Sequence, residues 1–231
     1  MLSKHFQAVK AVIQDSLKQA NRAEGEVTVV AVTKYFDVEM TKQIVSHGFT
    51  HLGENRVESL LLKQGEMQGF PVKWHFIGNL QRRKVKKVIN SIDYFHALDS
   101  IKLAEEIQKH REYPLDCFVE VNVSGEESKF GIQPEELDSF LQNIERLDKV
   151  QVIGLMTMAP LGANEKELHQ YFSTIKKMQL AYSKKYAFAS LTDISAGMSN
   201  DFPIALEEGA TYIRIGSLFK NNEEDFDGVI R

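Results

Sequence analysis

Near the start of the chain, the almost wholly apolar run VTVVAVTKYFD (27–37) is interrupted by one lysine, Lys34. A lysine amine in its neutral form attacks an aldehyde and forms a Schiff base. Most lysines that follow an apolar strand are solvated strand ends, so the position alone does not indicate chemistry. Lys34 becomes a candidate site residue only if other polar groups converge on it.

A second cation, Arg214, lies in the last apolar run of the chain, YIRIGSLF (212–219). Alternation along a strand places Arg214 on the opposite face from its two isoleucine neighbours. An arginine that faces a barrel interior needs a partner, either a carboxylate such as Glu120 or an acceptor on a ligand. Gly216 and Ser217 follow at the strand end, where the chain either makes a plain tight turn or binds phosphate through backbone N–H groups.

Eight strand-like runs alternate with segments of helical periodicity. The runs cover residues 27–33, 49–54, 73–77, 92–98, 116–123, 151–156, 190–195 and 211–216. An amphipathic segment precedes the first run, and helix-start residues stand at Asp37, at Asp99 or Ser100, and at Pro134. Strand then helix, repeated eight times, predicts an α/β protein with one (β/α)8 TIM barrel over residues 1–231 and an extra N-terminal helix. An open doubly wound sheet is the alternative, but no GxGxxG turn follows the first run.

The barrel prediction gives the polar residues a common location. Active sites of such barrels lie at the carboxyl ends of the strands and in the loops that follow them. On the predicted boundaries, that end of the barrel carries Lys34, Glu54, Asn55, His75–Gly78, Asn122, Met156, Ser195–Ser199 and Arg214–Ser217. These groups come from distant parts of the chain and should meet in one small volume.

Composition narrows the class of ligand. The chain has 231 residues, of which 43% are hydrophobic and 26% charged, and its net charge of −4 gives no overall attraction to nucleic acid or anionic membrane. The basic stretch QRRKVKKV (81–88) could contact phosphates of RNA or DNA, but Val85 and Val88 give it a buried stripe, and a solvated helix face is the interpretation we adopt. We expect a small-molecule ligand.

The lone cysteine and two histidines argue against other kinds of site. Cys117 cannot form an internal disulfide, and no run reaches the roughly 18 apolar residues of a membrane span. His47 and His51 have the spacing of a helical metal site, but Gly48 between them should end the helix. The sequence therefore predicts a cytoplasmic protein without a metal site.

Seven motifs, in order and at approximately matching spacing, carry a resemblance that covers nearly the whole chain. They are AVTK (31–34), HLGENRVES (51–59), WHFIGNLQRRK (74–84), VNVSGEESKFGI (121–132), GLMTMAP (154–160), SAGMSND (195–201) and YIRIGSLF (212–219). The chain closely resembles the YggS/PROSC family of pyridoxal 5′-phosphate (PLP) homeostasis proteins, which are relatives of the barrel domain of alanine racemases.

The resemblance implies a PLP site and a role for each of eight residues. Lys34 matches the family's Schiff-base lysine. The resemblance also implies that Asn55 and His75 line the pocket and that Met198 and Ser199 lie near the cofactor. It implies further that Arg214 faces the pyridine nitrogen, and that the phosphate is held by Ser199, Gly216 and Ser217. The chain departs from many members at Thr33, where they carry serine, and at Ser195-Ala196, where they carry leucine-serine. The second departure leaves open which hydroxyl of this loop reaches the phosphate.

Two functions from different classes follow. The first is a carrier or regulator in intracellular PLP homeostasis, a monomer that exchanges the cofactor with PLP-requiring apo-enzymes and has no substantial catalysis. The alternative is a PLP-dependent enzyme such as a weak amino-acid racemase. Racemisation by two bases needs a second acid/base, which alanine racemases take from a C-terminal β-domain of the partner subunit. Because this sequence ends at Arg231, soon after the eighth run, we expect the first function.

Overall fold

The structure is a computed structural model that describes residues 2–126, 130–186 and 190–220. Its strands are β1 (Thr28–Val32), β2 (His51–Glu54), β3 (Lys73–Phe76), β4 (Tyr94–Leu98), β5 (Leu115–Glu120), β6 (Val150–Met156), β7 (Asp193–Met198) and β8 (Tyr212–Ile215). Its helices are α1 (Leu2–Gln19), α2 (Val38–Ser46), α3 (Val57–Glu66), α4 (Val85–Val88), α5 (Ile101–His110), α6 (Leu137–Ile144), α7 (Glu165–Lys185) and α8 (Phe202–Glu207).

The eight strands form one closed parallel barrel in chain order. Val30 of β1 lies opposite His51 of β2 on one side and opposite Arg214 of β8 on the other, which closes the cylinder. A helix lies between each pair of consecutive strands, as right-handed parallel crossovers require. The predicted (β/α)8 barrel is confirmed, and the open doubly wound sheet is wrong.

The boundaries of β7 differ from the prediction in a way that affects the site. The predicted run ended at Ser195, whereas β7 spans Asp193–Met198 and places Ser195 inside the strand. Small residues such as serine, alanine and glycine have low intrinsic strand preference, but pairing with β8 overrides it here. Ser195 therefore faces the barrel interior and not the loops.

The extra N-terminal helix, α1, is confirmed and covers one side of the barrel. Its apolar face, which includes the fully buried Phe6 and Val9, packs beside α8 and the turn after β8. The Phe6 and Phe219 rings lie 6.2 Å apart, and Phe49 meets Phe219 edge-on at 4.9 Å. The helix thus supports the segment that follows Arg214.

The helix starts also follow the predicted signals. Asp37 accepts a hydrogen bond from the Met40 N–H at 2.8 Å and caps α2, which begins at Val38, four residues after Lys34. Gly48 beyond the end of α2 has φ of +91°, a backbone conformation that glycine adopts without strain. Ser100 precedes α5, and Pro134 opens a 3₁₀ turn that leads into α6.

The remaining sequence expectations concern the lone cysteine, the basic 81–88 stretch and membrane-spanning helices. Cys117 is fully buried, and Val85 and Val88 turn inward while the neighbouring cations of the 81–88 stretch face solvent. Across the described ranges, none of the helices has the length and apolar character needed to cross a bilayer.

Candidate active site at the carboxyl end of the barrel

A cavity of about 570 Å³ opens at the carboxyl end of the barrel, within the size range of small-molecule sites. Seven of the eight predicted site residues line it: Lys34, Asn55, Met198, Ser199, Arg214, Gly216 and Ser217. Glu120, Asp201 and the 158–163 loop are also among the lining residues. The structure therefore brings together polar groups from β1, β2, β5, β7 and β8, as the barrel prediction requires.

Lys34 lies two residues beyond β1 on the rim of the cavity. Its side chain is exposed, and Nζ lies 4.9 Å from the centre of the Tyr35 ring. Lys220 Nζ lies 5.0 Å from the same ring. Among the residues that the structure describes, no carboxylate forms an ion pair with Lys34. The amine is thus placed by an aromatic face and remains accessible from the cavity.

Arg214, in contrast, is buried at the inner wall of the cavity. Its Nη2 donates to the Thr157 carbonyl at 3.1 Å, and its Nη1 donates to Ser195 Oγ. Burial lowers the pKa of the guanidinium to about 10, so Arg214 stays cationic near neutral pH. Glu120, the carboxylate considered as its partner, forms no ion pair with it. The charge of Arg214 is therefore available to a ligand.

Glu120 also lines the cavity, and it is only 4% exposed. Burial raises the pKa of this carboxyl to about 7; Asp99 adds to the rise, and Arg214 opposes it. Glu120 can consequently hold or release a proton near neutral pH. Sequence reasoning considered Glu120 only as a possible counter-ion.

The turn after β8 and the loop after β7 meet at one edge of the cavity. Ser199 Oγ accepts a hydrogen bond from the Gly216 N–H at 3.1 Å, and Ser217 opens a 3₁₀ turn, Ser217–Phe219. The first N–H groups of such a turn lack partners within it. At Gly197, φ is +89° and a Cβ would stand 2.7 Å from the Ala205 Cβ, so glycine is needed there. Ser199 is the loop hydroxyl at the cavity, while Ser195 points inside the barrel.

His75 is the one predicted site residue that does not line the cavity. Its ring lies deeper in the barrel, with Nδ1 2.8 Å from His96 Nε2 and Nε2 2.9 Å from His51 Nδ1. His75 lies within β3, one residue before its end at Phe76, so its side chain points into the layer beneath the cavity, whereas Ile77 and Gly78 beyond the strand line the cavity. His96 was missed, although histidines on three consecutive strands were a visible signal.

Sequence reasoning also missed a buried ion pair beside Lys34. Lys63 Nζ donates to Glu54 Oε1 at 2.5 Å and to the Thr33 carbonyl at 2.6 Å. Thr33 Oγ1 and Ser59 Oγ donate to the same carboxylate at 2.6 and 2.8 Å. The network therefore fixes the peptide that immediately precedes Lys34. A lysine within the apolar run LLLK of α3 was its sequence signal.

Comparison with known proteins shows which family this chain belongs to. The alanine racemase N-terminal domain model matches residues 9–219. The pyridoxal phosphate homeostasis protein of Aquifex aeolicus is 37% identical over 209 residues, which cover 89% of this chain and 91% of the relative. This chain belongs to the pyridoxal phosphate homeostasis family of alanine racemase N-terminal domains.

Two further members agree in sequence and in structure. The pyridoxal phosphate homeostasis protein of Pseudomonas aeruginosa is 30% identical over 94% of this chain and 93% of its own length. The solved structure of PipY from Synechococcus elongatus, with PLP bound, has a TM-score of 0.84 at 28% identity and covers 95% of this chain and 99% of that chain. The likeness thus extends over the whole barrel.

Proposed function

We propose that this chain binds PLP in the cavity, holds it as a Schiff base on Lys34, and acts as a carrier or regulator in intracellular PLP homeostasis without substantial catalysis. The observation that carries most of this proposal is that PipY, similar over nearly its whole length, has been solved with PLP bound. The names of the similar bacterial proteins support the homeostatic role.

The groups in the cavity fit the chemical parts of PLP. The accessible amine of Lys34 suits an aldehyde, and this edge offers the hydroxyls of Ser199 and Ser217 and the first N–H groups of the 3₁₀ turn to a phosphate. Arg214 supplies a fixed cation for the ring nitrogen. PLP in an enzyme acts as an electron sink for carbanions, and an arginine opposite the ring nitrogen disfavours the protonation that strengthens that sink. This arrangement favours holding the cofactor over activating it.

A titration of the purified chain with PLP tests this function. We expect a yellow imine band that saturates at one PLP per chain and is absent from the Lys34→Ala variant. Lys220→Ala is the matched control, because Lys220 contacts the same Tyr35 ring and is also exposed. A band that survives in Lys34→Ala and disappears in Lys220→Ala would reject the assignment.

A weak amino-acid racemase is the second candidate, and Glu120 is the observation that favours it. Racemisation needs a base for the α-proton and an acid to return one, and such groups contribute about 10²- to 10⁴-fold each. Lys34 and Glu120 line the same cavity, and Glu120 can exchange a proton near neutral pH. We expect negligible interconversion of L- and D-alanine or serine in chiral chromatography. Turnover near about 10 per second, lost in both Lys34→Ala and Glu120→Gln, would establish the enzyme instead.

The exchange partners belong to the same proposal. A cytoplasmic, monomeric carrier should release PLP to PLP-requiring apo-enzymes through the open rim on which Lys34 lies. We expect PLP-loaded chain, freed of excess cofactor, to restore the activity of an apo-aminotransferase, and sedimentation to give the mass of one chain. No restored activity, despite a saturated imine band, would leave binding intact and remove the carrier role.

A further inference from the structure

A continuous line of hydrogen bonds crosses the barrel interior from the start of β2 to the cavity. Arg214 Nη1 donates to Ser195 Oγ, which lies 2.8 Å from His96 Nδ1. His96 Nε2 lies 2.8 Å from His75 Nδ1, and His75 Nε2 lies 2.9 Å from His51 Nδ1. Ser195, His96 and His75 are fully buried, whereas His51 is partly exposed at the amino-terminal end of the barrel.

The chemistry of the Arg214 end favours one direction for every proton in this line. Arginine has only donors, so Ser195 must accept from Arg214 and has one hydroxyl proton left to give. Within the described part of the chain, its other partner is His96 Nδ1. If Ser195 donates there, His96 carries its proton on Nε2 and donates to His75. His75 then donates from Nε2 to His51, and each link has one donor and one acceptor.

The opposite direction is disfavoured for two independent reasons. It would leave the buried hydroxyl proton of Ser195 without an acceptor, which costs about 1–3 kcal/mol. It would also point the positive end of the His96 Nδ1–H bond toward the guanidinium of Arg214. If one histidine ring carried protons on both nitrogens, two N–H donors would face each other at one link of the line. Burial lowers the pKa of both His75 and His96 well below the usual value, and Arg214 contributes to the drop for His96.

We propose that Ser195, His96, His75 and His51 form a one-directional hydrogen-bond line, with all three histidines as neutral Nε2–H tautomers, that positions the charged guanidinium of Arg214 toward the cavity. The inference rests on the proposed function in one respect, since it assigns these four residues as positioning residues for the group that faces the PLP ring. None of them lines the cavity.

The line explains how a buried guanidinium keeps its charge available. Buried cations are normally paired with a carboxylate, which cancels their charge. Arg214 forms no ion pair with any carboxylate of the described ranges. Instead it meets the Thr157 carbonyl and a series of neutral groups whose acceptor ends all face it. These dipoles stabilise the cation together with the carboxylates of Asp201 and Glu120, neither of which forms an ion pair with it.

Histidine tautomers can be measured directly in the apo protein. Long-range ¹H–¹⁵N correlation spectra at neutral pH should show His51, His75 and His96 each with a protonated Nε2 and an unprotonated Nδ1. A protonated Nδ1 on any of the three, alone or in a doubly protonated ring, would overturn the proposal. Because no PLP is present, this result is independent of the proposed function.

A pair of variants at His96 tests the effect on Arg214. The amide of His96→Gln can accept from Ser195 and donate to His75, whereas His96→Phe can do neither. We expect His96→Phe to lose about tenfold in PLP affinity, the effect of one neutral hydrogen bond in the line that ends at Arg214, and to shift the pH dependence of the visible band. His96→Gln should restore both.

Equal PLP affinity and equal pH profiles in wild type and His96→Phe would remove the positioning role. If His96→Phe does not fold, Ser195→Ala makes the same comparison, since it deletes the hydroxyl that joins His96 to Arg214. If the wild-type tautomers are as stated and the wild type binds no PLP, the proposed function fails while the ordered line stands.

Discussion

Lys34 and Arg214 line the same cavity in opposite surroundings. The amine of Lys34 is exposed on the rim against Tyr35, whereas Arg214 is 5% exposed and held by two hydrogen bonds. An exposed amine is open to water and to competing amines, so a bond formed on it can be reversed. A buried, fixed cation can orient a ligand without reacting with it. This difference suits a protein that takes up and gives back an aldehyde.

Substitutions at Arg214 and Ser217 should weaken PLP binding for different reasons. Arg214→Ala removes the proposed partner of the ring nitrogen, at a cost of about 1–3 kcal/mol, or about 5- to 150-fold in affinity. Ser217→Asp places a negative charge beside the proposed phosphate position, while Ser217→Asn is a neutral control of similar size. Dissociation constants come from spectral titration. Unchanged values for Arg214→Ala and Ser217→Asp would show that the cofactor binds elsewhere.

Glu120 should make the stability of the apo protein depend on pH. Its folded pKa of about 7 lies above the usual value of 4.5, so the folded state holds this proton more tightly than the unfolded state. The stabilisation is complete below pH 4.5 and is lost as the pH rises through 7. As the pH rises over this window, the free energy of unfolding of the wild type should therefore fall by up to about 3 kcal/mol relative to Glu120→Gln. Urea denaturation at several pH values measures it, and a constant difference would contradict the raised pKa.

The segment between β1 and α2 is the structural element that presents Lys34. It is held at its start by the buried Lys63–Glu54 pair through the Thr33 carbonyl, and at its end by the Asp37 cap of α2. Lys34 itself makes no such contact and lies between these two fixed points. The backbone is therefore held on both sides of the side chain that we propose to react with PLP.

Loss of Lys63 should destabilise the fold and disturb this segment. Lys63→Met leaves the fully buried carboxylate of Glu54 without its cation, which costs about 3–5 kcal/mol in the free energy of unfolding. Lys42→Met, which removes an exposed pair with Glu39, should cost less than about 1 kcal/mol. The double variant Lys63→Met/Glu54→Gln should recover part of the loss. Equal costs for the two single variants would show that the buried pair has no special role.

The elements were largely predictable, and the failures have identifiable causes. Apolar runs and helix starts placed all eight strands and the N-terminal helix, because each buried strand is a short hydrophobic run between turn residues. β7 extended through Ser195 because pairing with β8 outweighs weak local preference. Strand alternation gave the inward face of Arg214 correctly. It did not give the depth of His75, which lies one residue before the end of β3 with its side chain beneath the cavity.

The barrel interior is partly polar. His75 stacks on Tyr94 with ring centres 4.4 Å apart, and His96 stacks on Phe118 at 4.5 Å. These stacks, and hydrogen bonds such as that between His96 and Ser195, join residues that are far apart in sequence. Spacing along the chain could not predict them, whereas it did predict the strand-end residues, which converge by barrel geometry alone.

The buried histidines should make the fold sensitive to acid. The folded pKa of His96 lies well below the usual value of 6.5, so the unfolded state binds more protons as the pH falls. The contribution of neutral His96 to the free energy of unfolding is present above pH 6.5. Below that pH it declines by up to about 1.4 kcal/mol per pH unit. His96→Gln cannot titrate, so wild type should lose stability relative to this variant between pH 7 and 5. Parallel stability curves would contradict a buried, neutral His96.

The most direct test of the central claim is to trap the bond between the chain and PLP. Borohydride reduction of the PLP-loaded protein, followed by peptide mass mapping, should place one reduced pyridoxyl-phosphate group on the peptide that contains Lys34 and leave the peptide of Lys220 unmodified. Prior addition of a competing amine should abolish the label, as a reversible imine requires. A label on a different lysine, or none in a saturated sample, would contradict the claim that Lys34 is the residue that holds the cofactor.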